Sequence, residues 1–183
     1  MKTKEKILNT GRQLLIENGY NAFSYADISK IVNIKTSSIH YYFPSKTDLI
    51  NAIIEKNIEE INALQHKQEK LTSSQKLENL FKYYLLLIRE NKICLVGTLA
   101  SDHHSLDILL KEKTIEFCNI ILQHTAQTLQ SGMENKEFAN IVNTEYKAME
   151  ILSTLVGIAQ IGRFYSENKI SAVMQQIINN LKY

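Results

Sequence analysis

The sequence predicts an all-α chain, a small N-terminal helix-turn-helix head followed by a larger helical body, and three observations predict it. One Pro and six Gly among 183 residues are too few for an all-β chain that must turn every ten residues or so. Leu, Ile, Lys, Glu, Gln and Ala, good helix formers, dominate instead. Apolar residues recur at helical spacing and are interrupted by N-cap and stop signals. At 44% apolar and 22% charged the composition is that of a globular protein with a real core, which excludes disordered, collagen-like and disulfide-scaffold chains.

The first helix carries Ile7, Leu8, Leu14 and Leu15 with small Gly11 between them, and Asn18-Gly19-Tyr20 supplies a left-handed Gly stop. Ser24-Tyr25-Ala26-Asp27 reads as a capping box that opens a helix of about two turns with Ile28, Ile31 and Val32 on its inner stripe. Asn33, a residue tolerant of positive φ, breaks the chain before Ile34. A third short helix from about Thr36 places Ile39 and Phe43 at i, i+4, and Pro44 stops it. Ser45-Lys46-Thr47-Asp48 is a second capping box, opening a long helix with Leu49, Ile50, Ile53, Ile54, Asn57, Ile58, Ile61 and Leu64 along one side.

Beyond residue 68 the apolar coats thicken. Leu77 to Ile88 is apolar nearly all round, as suits the centre of a bundle. A less regular stretch from Cys94 to His104 leads to a helix from about Ser105 to Ser131, stopped by Gly132. Another helix spans about Asn143 to Tyr165, and a last one aligns Ile170, Val173, Met174, Ile177, Ile178 and Leu181. The division drawn from these elements is a head at 1–48 and a body at 49–183.

Charge sits unevenly along this frame. Residues 1–50 hold seven Lys/Arg against four acids, a balance of +3, whereas the rest of the chain balances at −1. A basic end on a near-neutral body hints at a polyanionic partner for that end alone. Cys94 and Cys118 belong to no Cys-x-x-Cys pair, so a reduced protein is expected, and no apolar stretch approaches the ~20 residues of a membrane span. With no apolar signal core behind Met1, a cytoplasmic location without a membrane partner is expected. No zinc-protease helix motif, phosphate loop, dinucleotide fingerprint or nucleophile elbow appears, so neither an enzyme nor a cofactor is expected.

Two short helices joined by a tight turn and packed on a preceding helix place the second of them in a DNA major groove. Ile28, Ile31, Ile34, Ile39 and Phe43 are expected to bury the inner faces. Lys35, Thr36, Ser37, Ser38, His40 and Tyr41 then form an outer face of small or hydrogen-bonding groups, which lets the helix approach base edges. Residues 7–50 resemble the DNA-binding region of the TetR family of bacterial repressors. The resemblance rests on Gly19-Tyr20-Asn21-Ala22-Phe23-Ser24, on Asp27-Ile28, and above all on the run from Ser38 to Leu49, Ser-Ile-His-Tyr-Tyr-Phe-Pro-Ser-Lys-Thr-Asp-Leu. Asn33 departs from the family's usual turn Gly, and Lys35 from its usual Ser or Thr cap.

The resemblance implies an operator-binding homodimer whose C-terminal domain takes a small-molecule effector that changes the spacing of the two heads. It places Thr36, Ser37, Ser38, His40 and Tyr41 toward the groove and Tyr42 and Lys46 toward the backbone. Ser24 and Tyr25, at a helix N-terminus, are expected at phosphates. In the body, Tyr83, Tyr84, Phe117, His124, Met149 and Gln160 are candidates for an effector pocket, being aromatic or soft side chains with few polar groups among them. His124 stands where the pattern expects an apolar residue and needs a partner. For the dimer, one row of the 143–165 helix (Ile151, Leu155, Ile158, Ala159, Gly162) with Val173, Met174, Ile177 and Ile178 is expected at a two-fold four-helix interface. The row Tyr146, Met149, Ser153, Val156 and Gln160 is left for the domain core. Two other readings stay open at this point: an all-helical protein adaptor, and a metal or redox sensor using Cys94, Cys118, His103, His104 and His124.

Overall fold

The computed structural model describes residues 2–182. Among them the elements are α1 (Thr3–Asn18), α2 (Tyr25–Val32), α3 (Thr36–Tyr42), α4 (Lys46–Lys67), α5 (Ser73–Arg89), α6 (Leu95–Ser101), α7 (Ile108–Glu134), α8 (Thr144–Ile161) and α9 (Glu167–Asn179), with short 3-10 turns at His103–Ser105 and Gly162–Phe164. No strand occurs among the described residues, and the all-α expectation holds.

Two apolar cores organise the chain. One, around Leu77, Phe81, Tyr84, Leu129, Phe138, Leu155 and Met174, joins α5, α7, α8 and α9. The other seals the head with Ile7, Leu15, Phe23, Ile28, Ile39, Phe43, Leu49 and Ile53. That second core also takes Leu95 and Leu99 from α6, Leu106, and Leu110 and Phe117 from α7, so head and body share buried surface. Ile31, expected inside, is 61% exposed: α2 is only eight residues long, and its inner side is covered by buried Ile28 with half-buried Tyr25 and Val32.

The stretch from Cys94 to His104 is more regular than its composition suggests. Cys94 caps α6, its Sγ accepting from the Gly97 N–H at 3.3 Å. Gly132 does not stop α7, which continues to Glu134. Its role is steric, because the chain folds back and lays the fully buried Phe138 ring against the Gly132 backbone. A Cβ here would overlap that ring. Gly132→Ala is therefore expected to destabilise the fold by roughly 1–3 kcal/mol, the usual range for overpacking, despite Ala's better helix propensity. A lowered midpoint in urea at unchanged slope would show it.

Candidate functional site

The exposed face of the head is set by two capping boxes and one tied turn. At α2, the Ser24 N–H and Oγ both donate to Asp27 Oδ2, at 2.9 and 2.7 Å. Ser45 repeats this with Asp48 Oδ2 at the start of α4, at the same distances. Between them Asn33 takes the left-handed conformation, φ 57°. Ser29 Oγ donates to the Ile34 carbonyl at 2.8 Å, and the Ile34 N–H returns to the Ser29 carbonyl at 3.1 Å. The turn is thereby pinned from both sides, which fixes α3 against α2.

On α3 buried Ile39 faces inward, while Lys35, Thr36, Ser37, His40 and Tyr41 are exposed, Tyr41 to 82%. Positions 36, 37, 40 and 41 fall on one side of the helix. Ser38 is half-buried at the flank, and Tyr42 meets Tyr41 edge-on at 5.1 Å. His40 Nδ1 lies 3.1 Å from the Pro44 carbonyl with its ring against Tyr25, so the imidazole is held at the corner between α3 and α4.

Two residues expected at DNA phosphates point elsewhere. The Tyr25 hydroxyl donates to the Phe43 carbonyl at 2.9 Å and to the Ser45 carbonyl, and burial pushes its phenol up to about 12. The Lys46 ammonium donates to the carbonyls of Tyr20 and Phe23 and lies over both rings, 4.8 and 4.1 Å from their centroids. Burial holds its pKa below the ordinary lysine value. Each side chain is engaged by carbonyls of the head and acts as an internal clamp, the Ser45 carbonyl being shared with the Leu49 N–H.

The head is fastened to the body at its other end. Asp102, just after α6, accepts from the Tyr20 N–H and from Asn21 Nδ2, both at 2.8 Å. The Ile93 N–H donates to the Ile16 carbonyl at 3.1 Å, and Thr47 Oγ1 donates to Asp107. Nothing in the sequence pattern flagged Asp102, a lone acid in an irregular stretch.

Beside this joint lies a cavity of about 590 Å³ between α4, α5 and α7, within the ~300–1,000 Å³ range typical of small-molecule sites. Tyr83, Tyr84, Phe117 and His124 line it, together with Leu64, Leu80, Leu95, Val96 and Ile121. Tyr84 is buried, with Tyr83 edge-on at 5.6 Å, and burial raises its phenol pKa. Burial lowers the His124 pKa, so its ring is uncharged at neutral pH. At the mouth Arg12 of α1 pairs with Glu60 of α4 at 2.8 Å. Met149 and Gln160 do not belong to the cavity. Met149 is half-exposed on the far side of α8, and Gln160 faces α6, its Nε2 3.5 Å from Ser101 Oγ.

Comparison with known proteins accords with this arrangement. Residues 7–53 match the family described as bacterial regulatory proteins, tetR family. The HTH-type transcriptional regulator QacR of Staphylococcus aureus is 33% identical over 45% of this chain and 44% of its own length. The chain thus spans under half of the curated relatives it matches first. A TetR transcriptional regulator from Legionella pneumophila, of known crystal structure, is 32% identical over 100% of this chain and 98% of that one, with a TM-score of 0.87. The chain belongs to the TetR family. A TetR-family regulator from Agrobacterium tumefaciens, 24% identical with a TM-score of 0.90 over 98% of this chain and 97% of its own, shares the fold.

In this TetR-family chain the row of α8 expected at a dimer interface lies inside the chain's own core. Ile151, Leu155, Ile158 and Ala159 are buried within the protein's own core, as are Met174 and Ile178 of α9. Gly162 is buried too, and admits Ile88 and Ile170, which a Cβ would meet at 3.2 and 3.4 Å. None of these side chains is available to a second copy. Val173 is exposed and Ile177 half-buried. Of the row assigned to the core, Tyr146, Met149 and Ser153 are exposed and Val156 and Gln160 half-buried; the outward side runs through Tyr146, Met149, Ser153, Gly157 and Ile161 and is continued by Phe164. Both rows are apolar enough to be core, so hydrophobicity alone could not choose between them.

The metal or redox reading loses its support. Among the described residues no three His, Cys, Asp or Glu side chains gather as a ligand set. Burial pushes the thiols of Cys94 and Cys118 up, away from the thiolate that metal binding or oxidation requires.

Proposed function

We propose that this TetR-family chain is an effector-responsive, sequence-specific DNA-binding regulator, acting as a repressor released from its operator by a small molecule. The observation that carries the reading is the outward face of α3, where Thr36, Ser37, His40 and Tyr41 stand exposed on a helix held rigidly by the tied turn. Such a face offers donors to bases and phosphates, and its small residues admit the helix into the major groove. It lacks the apolar anchors that an adaptor helix needs. Exposed Lys2, Lys4, Lys6, Lys30 and Lys35 add positive charge to the head. The head corresponds to residues 1–48 and the body to 49–183, with α4 common to both. Its operator and its action lie in the cytoplasm.

The working unit is a homodimer formed through the exposed face of α8 and α9. Met149, Ile161 and Phe164 are large apolar side chains left in water, beside Val173. At Gly157 a Cβ would meet nothing within 4 Å, so a partner helix has room for close approach. Two-fold pairing sets two α3 helices for successive major grooves, about one turn of B-DNA apart.

Effector response runs through α6. Leu95 lines the cavity and packs in the head core, and Asp102 at the far end holds the Tyr20 loop. A ligand that displaces α6 therefore moves the head. Asp102→Ala leaves the Tyr20 N–H without its acceptor and frees the loop. It is expected to cost roughly 1–3 kcal/mol of stability and to weaken duplex binding several-fold, since the two heads lose their fixed spacing. Urea denaturation and a duplex titration check the two effects separately.

The direct test is titration of a labelled duplex from immediately upstream of the protein's own gene, at ~150 mM salt with excess nonspecific competitor, where purely electrostatic binding fades. Retained tight binding supports the reading. Failure there and in a genome-wide selection of bound fragments would overturn it.

A further inference from the structure

The cavity carries one charge that no described residue answers. Glu60 at its mouth is neutralised by Arg12 at 2.8 Å, and His124 is uncharged. Lys76, in the first turn of α5, lines the cavity half-buried, and its ammonium has neither an ion pair nor a hydrogen bond among the described residues.

The surroundings of Lys76 follow from helix register. A Cβ on Gly132 would stand 3.0 Å from Ser73 Cβ, which fixes α5 and α7 side by side. Further along, Tyr84 of α5 and Phe117 of α7 line the same cavity, so the two helices run antiparallel. One turn in from Ser73, Lys76 comes level with the α7 turn that contributes Gln127, Thr128 and Ser131 to the cavity wall. The Gln127 carbonyl accepts from Gln65 Nε2 at 3.2 Å, so the Gln127 amide NH₂ is the part left to donate. Ser131 adds a hydroxyl. This end therefore presents donors around a cation, while Leu77, Leu80, Phe117 and Ile121 form an apolar wall farther in.

Resting on the effector reading above, we propose that the cavity selects amphipathic organic anions of the carboxylate class, with the acidic head on Lys76 and Gln127 and the apolar body laid between α4, α5 and α7. A cationic head group would meet Lys76 as a like charge, and a neutral one would leave it unpaired.

Two series matched in their apolar part, decanoate, decan-1-ol and decylammonium, and 2-naphthoate, 2-naphthol and 2-naphthylmethylammonium, are titrated calorimetrically below any aggregation limit. In at least one series the carboxylate is expected to bind tenfold or more tightly than its neutral and cationic partners. Lys76→Met should lose at least tenfold in carboxylate affinity and change alcohol affinity less than threefold. Lys76→Glu should turn the preference toward the ammonium. Equal or tighter binding of the alcohol or the ammonium, unchanged carboxylate affinity in a folded Lys76→Met protein, or no binding in either series overturns the inference. The effector reading is tested separately with the same compounds. A bound carboxylate that leaves duplex affinity unchanged counts against that reading while the charge preference stands. An alcohol or ammonium that binds best and releases the duplex does the reverse.

Discussion

Tyr41→Ala weakens binding to the upstream duplex by about 30–100-fold while leaving helicity, thermal midpoint and sedimentation unchanged. Tyr41 is 82% exposed on the α3 face, where its ring meets Tyr42 edge-on. Removing it costs the fold little, since surface substitutions of this kind stay within about 0.5 kcal/mol. One lost base or phosphate contact of roughly 1–1.5 kcal/mol, doubled by the two heads of a dimer, gives the expected factor at 1.4 kcal/mol per decade. Lys46→Ala provides the contrast. It removes a cation from the head, yet that ammonium clamps the Tyr20 and Phe23 carbonyls, so its first effect is on stability. An anisotropy titration at ~150 mM salt, with circular dichroism melts in parallel, separates the two. A Tyr41→Ala protein within threefold of the unchanged chain would take Tyr41 off the reading face.

Gly157→Arg abolishes dimerisation at micromolar concentration and operator binding with it. Position 157 lies mid-way along the outward row of α8, between Ser153 and Ile161, with open space around it in the single chain. The substitution is thus harmless to one copy. Across a two-fold axis it sets two guanidinium groups inside a close helix contact, and an unpaired buried charge costs roughly 2–5 kcal/mol. The dimer constant should weaken by ~1,000-fold or more, seen as a monomer in sedimentation velocity. Substitution on the inward row at Leu155 would instead unfold the body, because that side chain is wholly buried. A Gly157→Arg protein that still sediments as a dimer would move the interface away from α8.

Much of the architecture was legible because the head announces its corners chemically. The Ser24–Asp27 and Ser45–Asp48 boxes, the Asn33 break and Pro44 each carry a backbone requirement that only a few residue types meet, and all four stand where the sequence puts them. Outward α3 was legible for the same reason, as a polar side opposite Ile39. Side-chain direction was less so. Tyr25 and Lys46 have the chemistry of phosphate ligands, but nearby carbonyls in the folded head claim them, and that competition depends on contacts 18 to 26 residues apart in sequence. The two rows of α8 could not be ranked by composition, and only the packing of α9 and Ile88 decides which is inside. Gly132 reads as a stop in the sequence because its partner, Phe138, lies beyond the helix end. Arg12 and Lys76 sit on polar helix sides that read as solvent, so the cavity's charges left no signal in the pattern.

The core shared between head and body sets what can be exchanged between relatives. Leu95 and Leu99 of α6, Leu106, and Leu110 and Phe117 of α7 close over the same apolar interior as Ile7, Leu15 and Ile53. A chimera that grafted residues 1–48 onto another body would have to carry this complementary set with it, or the transplanted reader would sit on a mismatched seat. On the proposed reading, operator preference is modular on the outside of α3 and anything but modular beneath it.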